Sequence, residues 1–132
     1  MNCLLDTHTF LWTLFTPEKL SRKTAALIRD PGNTVAVSVV PFWEISLKHA
    51  LGKLELRNVL PDDFPDLARQ MDCEILPVDA GEAASFYRLP RVEHKDPFDR
   101  LIIWQAINRK LTLVSKDTKF TAYRDMGLKV AW

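Results

Sequence analysis

The sequence has few of the residues that build nucleotide-binding loops, disulfide scaffolds or zinc sites. Its four glycines form no G-x-x-x-x-G-K-[ST], G-x-G-x-x-G or G-x-S-x-G string, which excludes P-loop, dinucleotide-binding and serine-hydrolase classes. The two cysteines, Cys3 and Cys73, are far apart and form no C-x-x-C pair, so we expect free thiols in a reducing compartment. The spacing of His8, His49 and His94 is not that of zinc ligands.

A strong charge of one sign and a long apolar run are also missing. The chain has 18 Lys and Arg against 17 Asp and Glu, so bulk charge does not drive binding to a polyanion or a membrane surface. No apolar run approaches the roughly 18 residues of a membrane span, and an acid at Asp6 comes too early for a secretory signal. We therefore expect a cytoplasmic protein without membrane contact.

Short apolar runs alternate with segments of helical periodicity along the 132 residues. This alternation predicts an α/β protein, a three-layer α/β/α sandwich with a central, mainly parallel sheet, in a single domain over 1–132. Strands are predicted at 2–5, 34–40, 74–78, 111–115 and 129–131, and helices at 9–15, 21–30, 42–51, 62–71, 79–89 and 96–110. Trp12, Trp43 and Trp104 have apolar neighbours at helical spacing, so we expect them in the core.

Carboxylates follow two of the predicted strands and begin two of the predicted helices. Asp6 and Asp117 follow the first and fourth strands, while Glu44 and Asp99 lie near helix N-termini. Ligands of parallel sheets bind beyond the carboxyl ends of the strands, so we expect these four acids to converge. Such a cluster repels itself unless it binds a cation, and Mg²⁺ prefers oxygen ligands. A metal held there could activate water to attack a phosphodiester.

Each acid also has a purely structural interpretation. Asp96 before Pro97 is typical of a helix N-cap, and we favour that interpretation for Asp96. Asp6 and Asp117 could equally cap the helix and the turn that follow them. Glu44 differs because it interrupts the apolar stretch V-V-P-F-W-E-I, where an unpartnered carboxylate is costly. Its position favours a functional role.

Four strings in register over nearly the whole chain resemble the motifs of PIN-domain ribonucleases. Within that family they are most similar to the VapC-type toxins of toxin–antitoxin pairs. The strings are LLDTHTFLW at 4–12, SVVPFWEISLKHALGKL at 38–54, DPFDRLIIWQA at 96–106 and LVSKDTKF at 113–120. Each string alone is weak, but their order and spacing together make the resemblance specific.

The resemblance implies an endoribonuclease that depends on Mg²⁺ or Mn²⁺, cleaves RNA, is silenced by a small cognate antitoxin and forms a homodimer. It places the metal-binding and catalytic acids at Asp6, Glu44, Asp99 and Asp117, with Asp96, Thr7 and Ser115 beside them. Residues 88–132 carry ten basic and five acidic side chains, and such basic groups could hold phosphates that flank the cut. The candidates for this contact are Arg100 and Lys116.

Three other functions stay open at this point. A phospho-acceptor receiver module has a similar length and architecture, but its first strand is followed by paired acids, whereas here Thr7 follows Asp6. The position of Asp79 after a predicted strand leaves that hypothesis incompletely excluded. An aspartate-nucleophile phosphatase would need an acid in place of His8. A catalytically silent PIN-like module that binds RNA or a partner is disfavoured by the presence of all four acids.

Overall fold

A parallel sheet forms the centre of the computed structural model, which describes residues 1–92 and 95–132. His94 therefore lies outside the described residues. Within them the sheet has five strands, namely β1 (Asn2–Leu5), β2 (Thr34–Ser38), β3 (Glu74–Leu76), β4 (Thr112–Val114) and β5 (Lys129–Ala131). Their order is β3-β2-β1-β4-β5, and every neighbouring pair is parallel. Strands β2 and β3 are therefore added on one side of β1, and β4 and β5 are added on its other side. The carboxyl ends of β1 and β4 form the topological switch point, where open α/β sheets bind ligands.

Helices and two hydrophobic clusters cover both faces of the sheet. The side chain of Leu4 belongs to the cluster under helix α6 (Pro97–Arg109). Those of Cys3 and Leu5 belong to the cluster under helices α1 (Thr7–Phe15) and α4 (Phe64–Gln70). Alternate residues of a buried strand thus supply opposite clusters, which confirms the predicted three-layer sandwich. The helices are α1 (Thr7–Phe15), α2 (Arg22–Arg29), α3 (Val39–Ala50), α4 (Phe64–Gln70), α5 (Ala80–Ser85) and α6 (Pro97–Arg109). Over the described ranges, none of them has the length and apolar character needed to cross a membrane.

Side-chain caps fix where several helices begin. Ser21, Asp79 and Asp96 each accept a hydrogen bond from a backbone N–H in the first turn of the next helix, as expected for N-cap residues. The strand predicted at 34–40 ends earlier because the Ser38 hydroxyl accepts from the Val40 N–H and starts α3 there. The predicted helix at 79–89 divides into α5 and a 3₁₀ turn at Phe86–Arg88.

The tryptophans do not share one environment. Trp104 is buried and Trp12 is half-buried, but Trp43 is 60% exposed, so the prediction of a core position for Trp43 is wrong. Its neighbours Glu44 and Ile45 point inward, and one residue along a helix turns the side-chain direction by about 100°. The Trp43 ring instead packs edge-on against Phe98, with centroids 5.0 Å apart.

Both cysteines are buried free thiols, as the sequence predicts. Burial raises the pKa of Cys3 and raises that of Cys73 to about 11. The thiolate is the reactive form, so both side chains serve as small apolar groups in the cluster under α1 and α4.

Candidate functional site

Asp6 lies at the carboxyl end of the central strand, 5% exposed. Its Oδ1 accepts a hydrogen bond from the Thr9 N–H at 2.8 Å and caps α1, while its Oδ2 accepts from the Ser115 hydroxyl at 2.5 Å. Burial raises the pKa of the Asp6 carboxyl, although the hydrogen bonds from Ser115 and Thr9 oppose the rise. The role of Asp6 as a helix cap therefore uses one carboxylate oxygen, Oδ1. The other oxygen, Oδ2, contacts the residue that follows β4.

Ser115 joins the ends of β1 and β4 through its hydroxyl group. The hydroxyl donates to Asp6 and accepts from the Asp117 N–H at 3.0 Å. Asp117 is partly exposed, and its Oδ1 accepts from the Lys119 N–H at 2.9 Å, which caps the following 3₁₀ turn. The two strand-end acids thus lie on either side of one serine, as their positions after parallel strands predict.

Glu44 lies in the second turn of α3, 3% exposed. The Thr7 hydroxyl donates to its Oε1 at 2.7 Å, and the Lys48 ammonium pairs with its Oε2 at 2.5 Å. These contacts offset the cost of burying the carboxylate. They also tie α3 to the start of α1, so Thr7 and Glu44 meet as the sequence predicts.

Asp99 also has a strongly perturbed carboxyl. It lies in the first turn of α6, whose N-cap Asp96 accepts from the N–H groups of Phe98 and Asp99 at 2.8 and 3.2 Å. Burial, first, and then the negative charges of the other acids raise the pKa of Asp99 to about 8. The acids that contribute are Asp96, Glu44, Asp6 and Asp117. The structure thus brings the other three predicted acids, and Asp96, within electrostatic range of Asp99.

Lys48 carries a positive charge close to these acids. The pKa of Lys48 is raised against the opposing effect of its burial, because Glu44, Asp96 and Asp99 stabilise the ammonium. Among residues 1–92 and 95–132, no three acidic, histidine or cysteine side chains form a ready-made metal shell. Hydrogen bonds from the hydroxyls of Ser115 and Thr7 hold two of the carboxylates, Asp6 and Glu44, to residues at the ends of neighbouring elements. Carboxylates whose negative charges raise the pKa of a neighbouring acid, Asp99, fit a hard divalent cation that binds oxygen ligands and keeps several waters.

The two basic candidates have different surroundings. Lys116 is exposed, and its Nζ lies 5.9 Å from the centroid of the Trp12 ring, in the cleft that Asp6 and Asp117 line. Arg100 is only 8% exposed, and its Nη2 donates to the carbonyls of Leu89 and Pro90 at 2.9 and 3.3 Å. This placement differs from the predicted phosphate contact, because Arg100 points away from the acids one residue after Asp99 and anchors the chain before α6.

Sequence reasoning missed two residues of the site. Lys48 follows Glu44 by four residues, and this E-x-x-x-K spacing is a recognisable signal for an ion pair on a helix. Trp12 lines the cleft beside Asp6, although we expected it in the core. No pattern in the sequence distinguishes a cleft-lining tryptophan from a core one.

Comparison with known families identifies the chain's relatives. Residues 3–126 match the PIN domain. The chain belongs to the PIN-domain family. A PIN-domain relative, Ribonuclease VapC22 of Mycobacterium tuberculosis, is 26% identical over 129 residues, and the match covers 98% of this chain and 97% of that protein.

Solved structures share the PIN fold. VapBC2 from Rickettsia felis, bound to a DNA fragment from its promoter, has a TM-score of 0.69 at 20% identity, covering 99% of this chain and 98% of that one. VapBC-5 from Mycobacterium tuberculosis, a member of a toxin–antitoxin family, has a TM-score of 0.58 at 24% identity, covering 98% and 95%. The predicted PIN-like architecture is therefore confirmed.

The receiver hypothesis does not agree with this fold. Receivers have the strand order 2-1-3-4-5, whereas β1 here lies between β2 and β4. Asp79, the acid that kept the hypothesis open, follows the edge strand β3 and is exposed. Its side chain caps α5 by accepting from the Glu82 N–H at 2.7 Å. Asp79 is therefore a helix cap at the edge of the sheet.

Proposed function

We propose that this PIN-domain protein is a metal-dependent endoribonuclease that acts as the toxin of a toxin–antitoxin pair. The main support is the pKa of Asp99, raised to about 8 by its burial and by four neighbouring carboxylates at the switch point of the sheet. A site that keeps acids at such a cost is arranged for a cation and a phosphate-bearing substrate. The 26% identity to a named ribonuclease over nearly the whole chain supports RNA as that substrate.

In this proposal Asp6, Glu44, Asp99 and Asp117 hold Mg²⁺ or Mn²⁺ and carry the catalytic function. When bound, the cation supplies the Lewis acidity that activates water and neutralises the leaving oxygen. Ser115 and Thr7 orient carboxylates of this set through the hydrogen bonds described above. Asp96 stays outside the ligand set because its Oδ1 is occupied by two backbone N–H groups. Lys116 is placed to hold a phosphate beside the acids.

The partners of the toxin follow from its relatives. VapBC-5 is described as a member of a toxin–antitoxin family, and we infer a small cognate antitoxin and a homodimeric toxin here. We also infer a single domain over 1–132, because β1 near one end of the chain pairs with β4 near the other. The buried free thiols support a reducing, cytoplasmic location.

Cleavage of a mixed RNA pool by the purified protein tests the proposed activity. We expect cleavage with Mg²⁺ or Mn²⁺, no cleavage in EDTA, and a loss of at least about 1,000-fold in Asp6→Asn. Asparagine is as good an N-cap as aspartate, so this change removes a ligand charge and keeps the start of α1. Asp66→Asn, on the surface of α4, is the control with the same change of charge and should retain full activity.

Two results would contradict this function. Equal cleavage by wild type and Asp6→Asn, or cleavage that persists in EDTA, would show that the acids do not act through a metal. If no RNA is cleaved, calorimetric titration with Mn²⁺ separates the remaining explanations. Binding of Mn²⁺ that Asp6→Asn abolishes would restrict the failure to the RNA target, whereas no binding would identify a silent PIN-like module.

A further inference from the structure

A cleft adjoins the acidic site on the side of α1. Its volume is about 380 Å³, within the range of pockets that hold small organic groups. It is lined by Asp6, His8, Trp12, Lys116, Asp117 and Thr118. Two of these residues belong to the proposed catalytic set, so whatever occupies the cleft lies directly beside the reacting phosphate.

A tryptophan forms the aromatic wall of this cleft. Trp12 is half-buried, and the Trp132 ring packs edge-on against it with centroids 5.8 Å apart and planes inclined by 66°. His8, one turn earlier on α1, has its ring centroid 5.9 Å from that of Trp12. These contacts restrict rotation of the indole and leave part of it facing the cleft. The result is a fixed aromatic surface at the edge of the acids.

Two ammonium groups accompany this aromatic surface. The Nζ atoms of Lys19 and Lys116 lie 5.8 and 5.9 Å from the centroid of the Trp12 ring. Both lysines are exposed, so their charges are available to a ligand. An acidic rim alone repels a polyanion, and these lysines, whose ammonium groups lie over the indole, provide local attraction for phosphates beside it.

We propose that this cleft is a nucleobase subsite, in which Trp12 stacks on an unpaired base next to the phosphodiester held at the acids. An aromatic surface bordered by cations is the combination by which proteins bind single-stranded nucleic acid. Stacking tolerates any base because every base has a π face, so the subsite selects unpaired RNA and not a particular sequence. The proposal rests on the nuclease function and adds that the cleft binds an unpaired base of the substrate.

The test compares two fluorescein-labelled probes with equal numbers of phosphates, single-stranded oligo(U) of 12 nucleotides and a 12-unit abasic oligomer. Their dissociation constants are measured by fluorescence anisotropy in Ca²⁺, with wild type, Trp12→Ala and Trp12→Phe. We expect wild type to bind oligo(U) about tenfold or more tightly than the abasic probe. Trp12→Ala should lose most of that preference and Trp12→Phe should keep part of it.

Tyr87→Ala is the matched control because Tyr87 is an aromatic side chain, 78% exposed, on a 3₁₀ turn that does not line the cleft. Its ratio of dissociation constants should equal that of wild type. Lys19→Ala and Lys116→Ala should weaken both probes alike. Each should also reduce the slope of log affinity against log salt by about 0.7, the value for one phosphate contact on a single strand.

Each other outcome overturns the proposal in a distinguishable way. Equal weakening of both probes by Trp12→Ala would make Trp12 a structural support. An unchanged ratio in a protein that still cleaves RNA would leave the nuclease function intact and assign the cleft to a segment of a protein partner. Equal binding of oligo(U) and the abasic probe by a wild type that cleaves RNA would remove this subsite and leave the nuclease function standing. A wild type that neither cleaves RNA nor binds Mn²⁺ would remove the nuclease function and this subsite with it.

Discussion

Two carboxylates of this molecule, the buried Glu82 and the half-buried Asp99, have opposite electrostatic surroundings. Glu82 on α5 accepts from the Nε and Nη2 of Arg109 at 2.8 Å each, and its pKa is lowered mainly by those hydrogen bonds. Asp99 on α6 has its pKa raised to about 8 by burial and by the charges of other acids. The difference shows that burial alone does not mark a functional acid. The sign of the neighbouring charge separates the two acids: Glu82 pairs with Arg109, whereas on the proposed function a cation would offset the repulsion between Asp99 and the other acids.

Removing the charge of Glu82, which pairs with Arg109, should have the largest effect on stability. Glu82→Gln leaves the partly buried Arg109 without a counter-charge, so we expect a loss of about 2 kcal/mol in the free energy of unfolding. Urea denaturation at pH 7 measures it. Because the pKa of Glu82 is lowered, its contribution is present above its unfolded pKa and is lost as pH falls through the folded value. The difference between wild type and variant should therefore shrink in acid, and a constant difference would contradict this account.

Removing Asp99, whose burial and neighbouring acids raise its pKa, should have the opposite effect on stability. Asp99→Asn is expected to raise the free energy of unfolding of the metal-free protein by about 1–2 kcal/mol at pH 8. A raised pKa favours the folded state below the unfolded pKa, near 4, and that advantage is lost as pH rises through about 8. Wild type in EDTA should thus be less stable at pH 8 than at pH 5.

Unfolding at these two pH values, in EDTA and in Mn²⁺, checks the Asp99 prediction. Asp99→Asn should reduce the loss between pH 5 and pH 8, and it should also remove most of the stabilisation that Mn²⁺ gives wild type at pH 8. If both proteins lose equal stability between the two pH values, the charge of Asp99 is not the cause.

An exposed carboxylate completes the comparison and should have the smallest effect. Asp66 pairs with Arg69 at 3.0 Å, and both side chains are mostly exposed. Water screens such a pair, so Asp66→Asn should change the free energy of unfolding by less than about 0.5 kcal/mol at any pH between 5 and 8. A change as large as that of Glu82→Gln would show that the exposure of an ion pair does not determine how much the pair stabilises the fold.

Much of the fold could be predicted because buried parallel strands are continuous apolar runs. The four acids were found by one rule, that ligands bind beyond the carboxyl ends of such strands, and Ser38 shows where local patterns fail. The β-branched Val39 and Val40 look like a continuing strand, but the Ser38 hydroxyl caps α3 and turns them into its first residues. The residue at which a helix begins determines which of its side chains face the core. That position explains why Trp43 is exposed and why Arg100 points away from the acids.

The sheet order also bears on when the site exists during synthesis. Ser115 lies 109 positions after Asp6 along the chain, and Asp117 follows it, although β1 and β4 are neighbours in the sheet. A growing chain that has completed only β1, β2 and β3 therefore carries Asp6 and Glu44 but neither Ser115 nor Asp117. On the proposed function, such a chain has an incomplete set of acids and acquires its nuclease activity only when β4 inserts beside β1.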